Sequence, residues 1–172
     1  MLRTTGQNGD MSGAQRTLVV LRHAKSAWPQ AVGDQQRPLT ARGRRDAPAV
    51  GRWLRDNVDE ITAVLCSPAV RAMQTWELVS EELDARAEAQ IDERLYGASA
   101  AELLTIIRAL PDTAASVLLI GHNPGVEDLV SVLTGIPQLL KTSAIAVLPT
   151  AGRWTDLGPH TIAEPTLVTP RG

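Results

Sequence analysis

Three short runs in the chain are apolar without interruption: Leu18–Leu21, Ala63–Cys66 and Val117–Ile120. Unbroken runs of this length, rich in Val, Leu and Ile, suit strands covered on both faces, as in a parallel or mixed sheet. Between them the period changes. Thr40 sits where an N-cap belongs, ahead of a helix through about Asn57 that carries Val50, Trp53 and Leu54 at helical spacing. Pro48 removes a backbone donor inside that span, which predicts a kink or a late start. Ser67-Pro68 then turns into a helix to about Leu83, with the proline in the first turn, and Ala89 to Tyr96 reads as extended. Ser99 caps a helix whose buried stripe is Leu103, Leu104, Ile107 and Leu110, ended by Pro111-Asp112. A further helix runs from about Val126 to Leu133 and stops at Gly135, followed by a strand from Ser143 to Leu148. Turn residues dominate after Thr150, with one more strand near Thr161 to Val168. Strands alternating with helices predict a three-layer α/β/α sandwich, because parallel strands need covered crossovers.

Two of the three runs end in a histidine. Leu18–Leu21 leads into Arg22 and His23, and Val117–Ile120 leads into Gly121, His122, Asn123, Pro124 and Gly125. A lone histidine there would read as a hydrogen-bonded strand end. The chain has only three, however, and two of them terminate its two most apolar strands, where sheets of this class bind ligands. Lys25, Ser26 and Trp28, with the Pro29 to Pro38 loop bearing Asp34 and Arg37, belong to the same end of the sheet. Arg71 falls in the first turn of the helix after Ala63–Cys66, where amide groups already favour an anion. His160 has no motif around it and reads as a surface residue.

At 172 residues the chain fits one domain, residues 16–172, preceded by a polar, aperiodic segment of residues 1–15 that predicts a flexible tail, with Met11 as an alternative start. The hydrophobic share of 44% and charged share of 21% are those of an ordinary globular protein. A net charge of −2 argues against general nucleic-acid binding, so any cationic site must be local. Arg42, Arg44, Arg45, Arg52 and Arg55 read as a solvated helix face rather than a dock for an acidic partner. Cys66 is the only cysteine, which excludes an intrachain disulfide and a thiolate cluster and fits a small buried strand residue. No segment has the length and apolarity of a membrane span and the amino terminus lacks a signal-peptide core, so the expectation is a cytoplasmic protein without membrane or nucleic-acid partners.

The run Arg22-His23-Ala24-Lys25-Ser26-Ala27-Trp28 resembles the signature of the histidine phosphatase (phosphoglycerate mutase-like) superfamily, most of all its short, SixA-type phosphohistidine phosphatases. Arg37-Pro38-Leu39-Thr40, Ser67-Pro68-Ala69-Val70-Arg71-Ala72-Met73-Gln74-Thr75 and Gly121-His122-Asn123-Pro124-Gly125 follow in the family's order, so the resemblance spans Thr17 to about Pro149. It implies a mixed central sheet with one antiparallel strand, a phosphohistidine formed at His23, and Arg22, Arg71 and His122 around the phosphate.

The residues themselves lead to the same chemistry. Arginine offers a planar fork of donors to phosphate oxygens, and preorganised Arg22, Arg71 and His122 would stabilise a phosphoryl group in transfer. Nearby cations disfavour imidazolium, which leaves His23 neutral and nucleophilic. Ser26 and Lys25 join the substrate-binding set. A metal site competes poorly, since a dication would lie beside two arginines with no carboxylate in either motif; neither metal nor cofactor is expected. A nucleotide-binding module competes through the glycine-bearing turn Gly121 to Gly125, but the GxGxxG fingerprint is absent. Asp92-Glu93-Arg94-Leu95-Tyr96-Gly97 resembles the mutase block that supplies a general acid, which implies Glu93 with Asp92 beside it; the SixA-type position for that acid is Arg94 here. The span between Arg71 and Gly121 already holds two helices, leaving little room for a mutase lid. The expectation is therefore a metal-independent phosphatase acting on a phosphorylated protein, through its phosphohistidine, or on a small phosphorylated metabolite. A small-molecule phosphomonoesterase and a non-catalytic phosphate-binding module are the alternatives.

Overall fold

A computed structural model describes residues 14–84 and 87–171, so most of the expected tail, residues 1–13, lies outside the described residues. Among the described residues six strands form one sheet in the order β3-β2-β4-β1-β5-β6: β1 Arg16–Arg22, β2 Ala63–Cys66, β3 Ala89–Ile91, β4 Ser116–Gly121, β5 Ile145–Thr150 and β6 Thr166–Val168. β1 pairs parallel to β4, β4 to β2, and β2 to β3, while β5 lies antiparallel to β1 and β6 antiparallel to β5. Among these strands only β5 therefore runs against the rest. The sheet is mixed and mostly parallel, as the family resemblance implies.

Helices α1 Ala41–Asn57 and α2 Val70–Ser80 cover one face; α3 Ala100–Arg108 and α4 Gly125–Thr134 cover the other. Each face has its own core. Val19, Leu21, Leu118 and Ile120 meet Val50 and Leu54 of α1 and Val79 of α2. Leu18, Val20, Val117 and Leu119 meet Leu103 and Ile107 of α3 and Leu129 and Leu133 of α4. Alternate residues of each central strand thus go to opposite cores, which is why these strands read as unbroken apolar runs. Trp154 is fully buried in the second core, its indole N–H donating to the Ala114 carbonyl at 2.8 Å.

The sequence signals for helix ends hold in detail. Thr40 Oγ1 accepts from the Gly43 amide at 3.0 Å, Ser99 and Glu102 form a reciprocal capping box, and Gly135 closes α4 with a φ of 73°. Several expectations change. The late start at Pro48 is not seen: α1 is helical from Ala41, with Ala47, Val50, Gly51 and Leu54 buried around the proline, and that packing offsets the lost donor. α2 ends at Ser80, short of Leu83, and α4 starts one residue early, at Gly125. Only Ala89–Ile91 of the stretch to Tyr96 is a strand; Glu93–Leu95 closes into a 3-10 turn capped by Asp92. The last strand is confined to Thr166–Val168. Cys66 is buried in β2, and burial pushes its thiol up to about 12. The five arginines of α1 are exposed, with Arg42 paired to Asp46 and Arg52 and Arg55 to Glu82. His160 is exposed, as expected. No helix among the described residues is long and apolar enough to cross a membrane.

Candidate active site

The register of β1 on β4 sets Arg22 opposite Gly121, so His23 and His122 leave the sheet side by side. Their ring centroids lie 5.1 Å apart, tilted by 53°. Both line a cavity of about 530 Å³ at the carboxyl end of the sheet, together with Arg22, Arg71, Lys25 and Ser26. Six of the seven residues expected in the site therefore share one cavity. Glu93 does not. It is exposed at the start of the 3-10 turn and lies outside the cavity lining. Its neighbours explain why: Arg94 folds back on Asp92, with Nη2 at 2.6 Å and Nε at 3.0 Å from the carboxylate, and Asp92 also accepts the Arg94 amide at 2.9 Å. That clasp fixes the turn and keeps Asp92 engaged with Arg94.

The loop between β1 and α1 is pinned from three directions. The Ala24 amide donates to Thr75 Oγ1 of α2 at 3.0 Å, and the Lys25 carbonyl accepts the Thr40 amide at 2.9 Å. Gly43 is needed at the start of α1, since a Cβ there would lie 2.2 Å from the Lys25 carbonyl oxygen. The backbone leaving β1 is thus locked onto both helices of one layer, and the histidine it carries is locked with it.

His23 is buried, and its Nδ1 lies 2.7 Å from the Ala24 carbonyl oxygen. A carbonyl can only accept, so the proton of the neutral ring sits on Nδ1 and the lone pair on Nε2. Burial lowers the imidazolium affinity to about 3, opposed by the Ala24 bond and reinforced by His122, Arg71 and Arg22. His122 sits differently. Its Nε2 is 2.7 Å from Ser67 Oγ, and burial, then Arg71, lower it to about 4. Both rings are neutral at physiological pH.

Asp34, on the loop expected at this end of the sheet, and Tyr96, which carried no such expectation, also line the cavity. Asp34 takes Arg37 Nη1 on one oxygen at 2.9 Å; its other oxygen takes Arg71 Nη2 at 3.1 Å and the Tyr96 hydroxyl. Its carbonyl accepts Arg71 Nη1 at 2.7 Å. Together these donors, Tyr96 foremost, hold the carboxyl far below the usual carboxylate range, and the same contact keeps the Tyr96 proton in place. Arg71 is thereby fixed by a residue 37 positions away in sequence. Arg22 is fixed by Nη1 donating to the Leu140 carbonyl at 2.9 Å. Among the described residues, seven buried side-chain polar atoms lack a partner, and Arg22 Nε, Arg71 Nε, His122 Nδ1 and Asn123 Oδ1 are four of them, all from residues that line this cavity. Buried polar groups rarely stay unpaired, and more than half of these belong to residues at this one cavity.

The family model described as histidine phosphatase superfamily (branch 1) matches residues 18–132, which include both histidines and Arg71. An uncharacterised protein of Mycobacterium tuberculosis is 41% identical over 150 residues, covering 81% of this chain and 92% of that protein. The phosphohistidine phosphatase SixA of Escherichia coli is 36% identical over 133 residues, covering 75% of this chain and 82% of SixA. Among solved structures, a protein histidine phosphatase SixA complexed with tungstate superposes with a TM-score of 0.75 at 30% identity, over 90% of this chain and 97% of that one. A match of this extent to the family, in a chain whose two strand-end histidines meet beside two arginines, leaves one conclusion: the chain belongs to the histidine phosphatase superfamily and is a phosphatase.

Proposed function

We propose that the protein hydrolyses phosphohistidine on protein substrates through a covalent intermediate at His23. The carrying observation is the Nδ1 to Ala24 bond, which aims the free lone pair of a neutral His23 away from its own backbone. Nε2 attacks phosphorus; the new N–P bond forms as the bond to the leaving group breaks. Arg22, Arg71 and His122 hold the equatorial oxygens as charge spreads over them. Water then attacks the phosphorylated His23, releasing inorganic phosphate and returning the neutral ring. Lys25, exposed at the rim, adds long-range attraction for the phosphate, while Ser26 supports Arg37 by accepting Nη2 at 2.7 Å.

The substrate class follows from proton supply. An alkoxide leaving group needs a proton donor, typically worth about 10²–10⁴-fold in rate. Asp34 is the carboxyl group in the cavity lining, and it is held ionised; Glu93 stands outside. The imidazole leaving from phosphohistidine is a much weaker base and can take its proton from water. Similarity to the Escherichia coli phosphohistidine phosphatase SixA supports the same reading. Comparing kcat/KM on a phosphohistidine protein, a sugar phosphate and a phosphoglycerate tests it. Phosphohistidine is expected to lead by at least about 10²-fold; a small metabolite leading instead would replace this substrate with a phosphomonoester.

A further inference from the structure

Trp28 lines the mouth of the cavity and is 76% exposed, in a protein whose Trp154 is wholly buried. Its position is not loose. The Arg37 guanidinium lies 3.2 Å from the centroid of the indole, covering one face. Arg37 is itself buried and spends its donors on the loop: Nε to the Ala27 carbonyl at 2.9 Å, Nη1 to Asp34 and Nη2 to Ser26. A cation with every branch committed to the scaffold is poorly placed to hold substrate phosphate. What it does instead is fix the plane of an aromatic ring whose other face is open beside the phosphate pocket.

We infer that Trp28 is a specificity-determining residue that stacks the planar ring carried by the substrate phosphate, with Arg37 acting as its positioning residue. The inference rests on the phosphohistidine reading above and extends it. A phosphorylated histidine enters phosphate first, with its imidazole just outside the ring of Arg22, Arg71 and His122, and Trp28 is the apolar surface at that mouth. The ring is flat, preorganised and already in contact with a cation on its far side. Its open face is less electron-rich than that of an isolated indole and therefore suits a neutral heteroaromatic ring better than a second cation. An isolated exposed tryptophan would otherwise be an ordinary surface residue; the committed Arg37 beneath it is what distinguishes this one.

The test compares substrates with and without a ring on the same variants. Phosphohistidine and phosphoramidate share the P–N bond, and only the first carries an imidazole; phenyl phosphate supplies a ring on a P–O bond. Trp28→Ala is expected to lower the preference for phosphohistidine over phosphoramidate on the order of tenfold, through KM rather than kcat, and to lower the preference for phenyl phosphate over phosphoramidate in the same direction. Trp28→Phe, which keeps a flat ring, should retain most of both preferences, and Trp28→Leu, apolar but not flat, should lose them. Unchanged preference ratios in Trp28→Ala and Trp28→Leu, whatever the absolute rates, overturn the inference. A wild-type enzyme that cleaves phenyl phosphate but not phosphohistidine overturns the proposed substrate instead, and the phenyl phosphate ratio still decides the role of Trp28.

Discussion

His23 and His122 arrive by the same route and end in different states. Each follows a strand whose apolar run is fully buried, each is neutral, and their ring centroids stand 5.1 Å apart, yet their hydrogen bonds are inverted. His23 gives Nδ1 to a carbonyl one residue on, which frees Nε2; His122 engages Nε2 with Ser67 and leaves Nδ1 unpaired. Strand patterning delivers the imidazoles, and a single partner then decides which nitrogen is available. The pair differs in which ring nitrogen is engaged rather than in how the strands deliver it.

The sharpest way to break that comparison is to remove each ring in turn. His23→Ala should lower kcat by about 10⁴-fold or more and abolish trapping of radiolabelled phosphate on the protein, with the fold intact by circular dichroism. His122→Ala should lose less, about 10²–10³-fold, and still form the phosphoenzyme in a single turnover. Label persisting in His23→Ala, or vanishing only in His122→Ala, would reverse the assignment.

A smaller effect reads the shared neutrality. Both rings are held below the ordinary value of 6.5, His23 at about 3 and His122 at about 4. The unfolded chain therefore binds protons that the folded chain refuses, and stability falls as pH drops below about 6.5. Tm should decline on the order of 10 °C between pH 7 and 4.5, with a shallower slope in His122→Gln. Asp34 is displaced in the same direction, from an ordinary value of 3.8, so its own loss on acidification begins below that window. A flat Tm over the interval would mean that the rings are charged in the folded state. Catalysis should likewise keep its rate down to about pH 4 instead of failing near 6.5.

The smallest expected change is Glu93→Gln, within about twofold on both phosphohistidine and alkyl phosphates, because the carboxylate stands outside the cavity. A loss confined to alkyl phosphates would bring Glu93 to the leaving group after all.

What the sequence revealed and what it concealed divide by range. The three apolar runs, the caps at Thr40, Ser99 and Gly135 and the strand-end histidines carry local signals, and motif spacing added Arg22 and Arg71. The Asp34 node had none. Its partners Arg71 and Tyr96 lie 37 and 62 residues away, and no periodicity announces a carboxylate that will meet them. Ser67 was visible as a turn before α2 but not as the partner of His122, 55 residues on. The early start of α1 ahead of Pro48 was hidden for the complementary reason: the local cost of the proline was legible, while the packing that offsets it was not.

The lone thiol of Cys66, on a central strand and raised by burial to about 12, is a reporter waiting to be used. A cysteine reagent reaches it only in molecules whose sheet has opened, so labelling under native conditions follows the opened population. Any oxyanion that binds the folded site lowers that population by a factor of 1 + [L]/Kd. Protection of one sulfur by phosphate or tungstate would thus measure affinity at the pocket with no turnover at all, in wild type and in every inactive variant alike.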